Sequence, residues 1–240
     1  MRGSAKHLLD LLAREDYVQV MNESLGDGGV RVAHTDEHRP LGKHDPAEWS
    51  AEAFCTQFCR DWFDVDELTG WWPQVNPPQW DLISTCLVNG QQGLLLVEAK
   101  AHEGECSTAG KELAGDASPE SERNRRQIRR CLTQAREGLR SFGVFRLDVK
   151  SHYQLANRVA YLWKLASLGT PVVLLYLGFT GDTYFERDHL LNADHWQRVM
   201  GAYMKDVIPL GFPGQVVKIS DGGSGRMLIK SLPVIQVSVD

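Results

Sequence analysis

The spacing of apolar residues changes several times along the 240-residue chain, and each change marks an element. Leu8, Leu9, Leu11 and Leu12 predict a short amphipathic helix over 5–15. From there to about Pro46 the chain is polar and rich in Gly, Asp and His, which predicts mostly loop. Asp45 and Pro46 supply an N-cap and a first helical position for a helix to about Phe63. That helix would bury Trp49, Ala53, Cys55, Phe58, Cys59 and Trp62. A turn-rich segment (Gly70, Pro73, Asn76, Pro77, Pro78) leads into two strands, 80–88 and 93–101, with a hairpin signal at Asn89-Gly90-Gln91-Gln92.

Residues 102–121 are small, polar and acidic, and predict a mobile loop. A basic helix over 121–141 precedes a strongly periodic one over 152–167, with Leu155, Val159, Leu162, Trp163 and Ala166 on its apolar side. Gly169-Thr170-Pro171 stops that helix, and 172–179 is a continuous apolar run suited to a central strand buried on both faces. A helix near 188–207 and two strands, 215–219 and 226–231, complete the chain, the strands joined by a turn at Asp221-Gly222-Gly223-Ser224-Gly225. This order predicts an α/β fold, a mixed central β-sheet flanked by helices, in one domain over 1–240. Its core would span about 46–180, with a helix-and-loop extension at 1–45 and a C-terminal helix and hairpin at 186–240.

Composition narrows the possibilities. With 42% apolar and 24% charged residues the chain is of ordinary globular type. No run approaches the roughly 18 apolar residues of a membrane span, and Asp10 interrupts the N-terminal leucines where a secretory segment would be unbroken. The expectation is a soluble, cytoplasmic protein with no membrane partner, and homo-oligomers are left open. Five cysteines without a C-x-x-C pair predict reduced core thiols and no structural zinc. The net charge of −5 hides an asymmetry: over 121–150, nine Arg or Lys face three acids, leaving that stretch at +6 and the remainder at −11. A basic surface on an acidic protein suits a phosphate-binding face beside a carboxylate-rich metal site, although a solvated helix face would show the same charges.

The chemistry concentrates on the strand Leu94-Leu95-Leu96-Val97-Glu98-Ala99-Lys100. Alternation puts Leu95, Val97 and Ala99 on one face and Leu96, Glu98 and Lys100 on the other, so two charges emerge side by side from a buried strand. Such charges need each other, or a metal and a phosphate. A turn centred between Gly90 and Gln91 would pair Asp81 with Lys100 and leave Asp81 diagonal to Glu98, roughly 7–8 Å away. Two carboxylates so placed can hold one or two hard divalent cations, with the Ala99 carbonyl as a further oxygen. Ions of this kind suit phosphodiester hydrolysis, with Lys100 assisting the attacking water.

Asp81, sixteen residues, then Glu98-Ala99-Lys100 after an apolar strand resembles the PD-(D/E)XK nuclease superfamily, the restriction-endonuclease-like fold. His152-Tyr153-Gln154, opening the helix after the core hairpin, is similar to the branch in which a Tyr–Gln pair contributes a glutamine to the site. The resemblance implies a Mg²⁺- or Mn²⁺-dependent nuclease with Asp81, Glu98, Lys100 and Gln154 as site residues. It also implies an acidic ligand from the preceding helix, for which Glu52 fits better and Glu48, one turn earlier, is the alternative. DNA is the expected substrate, with RNA left open, and Arg123, Arg125, Arg126, Arg129 and Arg130 are the expected phosphate contacts. Trp80 stands where the family usually has proline, with Pro77 and Pro78 just upstream. His34, His38 and His44 read as loop histidines, Trp71 and Trp72 as core, and His102 as a residue near the site or on the surface. Gly222-Gly223-Ser224-Gly225 lacks the G-K-[S/T] ending of a phosphate loop.

Overall fold

A computed structural model describes residues 3–111, 118–185 and 188–234. In chain order its elements begin with α1 (Gly3–Leu12), α2 (Tyr17–Leu25), β1 (Val30–Arg31), β2 (His38–Arg39), β3 (Trp49–Ser50), α3 (Ala51–Phe58) and α4 (Asp66–Thr69). Then come β4 (Gln79–Trp80), β5 (Leu82–Val88), β6 (Gln91–Lys100), α5 (Pro119–Gly138) and α6 (Tyr153–Ser167). The last are β7 (Val172–Thr180), α7 (Ala193–Met204), β8 (Val216–Lys218) and β9 (Ser224–Pro233).

The sheet runs β1-β5-β6-β7-β9-β8, with β2 also paired to β5. β6–β7 and β7–β9 are parallel and the other pairs antiparallel, so the sheet is mixed and the class is α/β. The alternation read from β6 and β7 fits the packing. Leu94, Leu96, Leu174 and Tyr176 join the core under α3, α5, α6 and α7. Leu95, Val97, Ala99, Val173, Leu175 and Leu177 join the core under α1 and α2. With both faces covered, every residue of β7 is buried, as its unbroken apolar run requires.

The stretch before Pro46 is mostly loop by residue count, but it also holds α2, in which Val18, Met21 and Leu25 recur at helical spacing, and the short strands β1 and β2, which pair along β5. Two expectations are corrected. The helix expected to start at Asp45 and Pro46 starts at Ala51 instead. Trp49 and Ser50 stay extended to pair with Trp80 and Gln79, and the Ser50 side chain caps the helix by accepting from Ala53 N at 3.2 Å. The strand expected over 80–88 is split at Asp81, because Trp80 pairs with Trp49 rather than continuing the β5–β6 ladder. The mobile loop expected over 102–121 falls in part outside the described residues, at 112–117, and the described parts include a 3₁₀ turn and the start of α5.

The hairpin turn is Asn89-Gly90, both with positive φ (51° and 81°), and Val88 pairs with Gln91. The ladder is therefore shifted two residues from the expected register, which keeps every side chain on its expected face.

Gly178, opposite Lys100 in the β6–β7 ladder, carries the buried Trp196 ring where a side chain would be: a Cβ there would lie 2.7 Å from the ring. Gly178→Ala is expected to cost about 1–3 kcal/mol through overpacking. Gly201→Ala, in α7 with nothing within 4 Å of the new Cβ, is expected to add up to about 1 kcal/mol through helix propensity. Paired urea melts check both signs.

Candidate active site

Asp81 lies in the bend where the chain leaves β4 for β5. The β5–β6 ladder stops at Leu82–Val97, so the backbone of Asp81 no longer pairs with β6, and continuing the ladder would set Asp81 opposite Glu98. The side chain takes over where the backbone stops: Ala99 N donates to Asp81 Oδ2 at 2.7 Å. A strand residue's N–H and C=O point to the same side, so the Ala99 carbonyl also faces this edge.

On the α6 side of β6, Glu98 and Lys100 are 1% and 4% exposed. Lys100 Nζ donates to Glu98 Oε1 at 2.5 Å and to Gln154 Oε1 at 3.1 Å. Gln154 Nε2 donates to the same Glu98 oxygen at 2.7 Å. α6 begins at Tyr153, which puts Gln154 in its first turn, over the end of β6. Glu98, Lys100 and Gln154 therefore form one hydrogen-bonded group, with Asp81 bonded to the residue between the two charges.

Arg158 completes this group, and it is not among the residues expected from the sequence. One turn beyond Gln154 on α6, it donates from Nε to Glu98 Oε2 at 2.6 Å. A signal for it exists: Arg158 lies three residues after Leu155 and four before Leu162, inside the apolar stripe. A buried cation there demands an anionic partner.

The charges perturb one another. Burial pushes the Asp81 carboxyl up, the neighbouring Glu98 adds to this, and the group reaches about 7 against the ordinary 3.8, despite the Ala99 N–H and Lys100. Burial also opposes ionisation of Glu98, but Arg158 and Lys100 overcome it and hold the carboxyl below its ordinary value. Burial likewise works against the charge on Lys100, and Glu98 outweighs it, leaving the ammonium above its ordinary value. Glu48, an exposed residue, is pushed up by partial burial and then by Glu98, which brings it to the rim of the same cluster.

Glu52, the expected third acidic ligand, is engaged elsewhere. Its Oε1 accepts from the Tyr161 hydroxyl, and burial pushes its carboxyl up. The late start of α3 makes Glu52 its second residue, facing inward against α6 rather than toward β6. His102 stacks on Phe185 at 4.2 Å between ring centroids. Among the described residues, no group of three or more His, Cys, Asp or Glu side chains is arranged to hold a metal ion.

The basic helix is α5, and it packs along α6. Gly138, in its last turn, lies against the Trp163 ring, while Cys131 is close enough to Tyr153 to perturb its hydroxyl. Arg123, Arg126, Arg129 and Arg130 are exposed and Arg125 is half-buried. Of the five, only Arg126 has an acidic partner among the described residues, Glu122 at 3.7 Å.

The Asp81 shift predicts a pH dependence. A carboxyl whose folded value (about 7) exceeds its ordinary 3.8 is protonated more readily when folded. Its contribution to stability is complete below about pH 4 and is lost as the pH rises through about 7. Asp81→Asn retains an oxygen for Ala99 N and removes the charge. It is expected to raise Tm at pH 8 and to flatten the decline in stability between pH 4 and 8. A lower Tm than wild type at pH 8 would contradict this.

No family model matches the chain, and no curated protein or solved structure matches it.

Proposed function

We propose that the chain is a Mg²⁺- or Mn²⁺-dependent phosphodiesterase acting on DNA, with Asp81, Glu98, Lys100 and Gln154 as its working residues. One observation carries this reading. Among the described residues no cation is hydrogen-bonded to Asp81, and burial, with the neighbouring Glu98 adding to it, pushes its carboxyl up to about 7. An ion pair formed for stability needs only Glu98 with its two cations. A second carboxylate set against it is an unfavourable charge that a divalent cation would relieve.

The donor set suits such an ion. Carboxylate and carbonyl oxygens are hard ligands, and Asp81, Glu98 and the Ala99 carbonyl supply them without thiolate or imidazole. A carboxylate offers about four acceptor positions, and three of those on Glu98 are taken, by Lys100, Gln154 and Arg158. When bound, the ion would polarise the phosphoryl group and acidify a coordinated water. In this reading Lys100 orients the attacking water and offsets charge growing on the phosphate, and Gln154 holds both Lys100 and Glu98 in place. The exposed arginines of α5 then neutralise backbone phosphates. The resemblance to the PD-(D/E)XK nucleases points the same way.

A specific observation favours a second reading, a non-catalytic module that binds nucleic acid or a protein partner. The charge of Glu98 is already balanced by Lys100 and Arg158.

Cleavage of labelled single- and double-stranded DNA with Mg²⁺ or Mn²⁺ separates the two. Asp81→Asn is expected to abolish metal-dependent cleavage with the fold intact, and Lys100→Ala to slow turnover on the order of 100-fold with metal binding retained. A wild-type protein that cuts nothing and gains no thermal stability from either ion would leave only the second reading.

Replacing Arg125, Arg126 and Arg129 together with Gln is expected to weaken DNA binding. The log–log salt slope should flatten by up to about 0.9 for each phosphate no longer neutralised. Equal affinity and slope in a filter-binding titration would reduce these arginines to a solvated surface.

A further inference from the structure

Asp81 and Glu98 belong to chain segments that the backbone ladder no longer ties together. The ladder ends at Leu82–Val97, and the residues just before Asp81 pair with Trp49 and Ser50 instead. Something else must set the separation of the two carboxylates. One link is the bond from Ala99 N to Asp81. The other is Arg158, whose Nε donates to Glu98 Oε2 and whose Nη2 donates to the Gln79 carbonyl, both at 2.6 Å. Nη1 donates to Asn157 Oδ1 at 3.2 Å, and the guanidinium lies 4.3 Å from the centre of the Trp80 ring. A single planar group therefore joins β6 at Glu98 to β4 two residues before Asp81, and rests on the residue between.

We propose that Arg158 is a positioning residue: by bridging the Gln79 carbonyl and the Glu98 carboxylate it sets the separation of Asp81 and Glu98, and so the affinity of the site for a divalent cation. The inference rests on the metal-dependent reading above. Arg158 is 5% exposed and each of its three nitrogens donates to a protein oxygen, so it does not itself contact substrate. Its rigid fork matters as much as its charge. Lysine in its place would keep a positive charge near Glu98, but a flexible point donor cannot span two acceptors in one plane or stack its face on an indole.

Arg158→Lys is therefore the informative variant, because it retains the charge that Glu98 needs for burial. Mn²⁺ binding to the wild-type protein and to Arg158→Lys is measured by isothermal titration calorimetry, with circular dichroism and melting curves to confirm the fold. The expected result is Mn²⁺ affinity about 10- to 100-fold weaker in the variant, with DNA cleavage shifted to correspondingly higher metal concentration. A role in folding alone would lower Tm and leave the Mn²⁺ dissociation constant where it was. A folded Arg158→Lys protein binding Mn²⁺ as tightly as wild type overturns the inference and leaves the metal-dependent reading standing. Wild-type protein that binds no Mn²⁺ overturns both. Should Arg158→Lys not fold, Asn157→Ala removes only the Nη1 partner and is expected to weaken Mn²⁺ about threefold. Unchanged affinity there equally overturns the inference.

Discussion

A carboxylate buried in the core governs the arrangement of everything around it. Unpaired, Glu98 would cost several kcal/mol in lost hydration, and the fold answers by bringing two cations to it, each itself withdrawn from water. Lys100 comes from the same strand, two residues on, at no topological cost. Arg158 must come from another element, so α6, which packs on β7 and β9, has to turn the side chains of its first two turns toward the end of β6. His152, in the left-handed conformation at φ 48° and ψ 38°, is the residue at which the chain turns into that helix. The placement of the start of α6 against the end of β6 is thereby bound to one ionic contact.

The second constraint is a discontinuity. A strand running unbroken from Gln79 to Val88 would satisfy the Ala99 N–H with backbone and leave no place for a carboxylate at that edge. Trp80, stacked under Arg158 and paired with Trp49, draws the chain out of the ladder one residue too early. Asp81 is left to meet the orphaned donor with its side chain. With Asp81, Glu98 and Glu48 ionised, three acids face two bases among the described residues, a local deficit of positive charge.

What could be read in advance follows from which forces are local. The β6 alternation and the continuous run of β7 depend on burial on two faces, and both appear in the residue order. The two-residue difference in the hairpin comes from a turn expected after Gly90, when Asn89-Gly90 forms it. Asp81 stays on the correct face because strand geometry repeats every two residues. The late start of α3 is hidden because Trp49 is held by Trp80, far along the chain, and no capping pattern near Asp45 could reveal that. With the phase of α3 goes the orientation of Glu52. α2 is legible only with care, since its apolar residues are interspersed with Gln19, Asn22 and Glu23. Arg158 is legible in kind, as a cation in an apolar stripe, but its partner is not.

The short strands β1 and β2 have a bearing on how the protein behaves in concentrated solution. A sheet edge with free donors and acceptors invites pairing with a second chain and is a common origin of aggregation. Here β5 is sheltered along that side, by Val30 and Arg31 near its turn end and by His38 and Arg39 near its middle. The opposite edge is covered at the start of β9 by the three residues of β8. Further along β9, the Gly214 N–H donates to the Met227 carbonyl and the Gln197 side chain to that of Ile229. Among the described residues no long bare edge flanks the strands that carry the acids, so crowding would not readily draw the hairpin into fibrous pairing with its own copies.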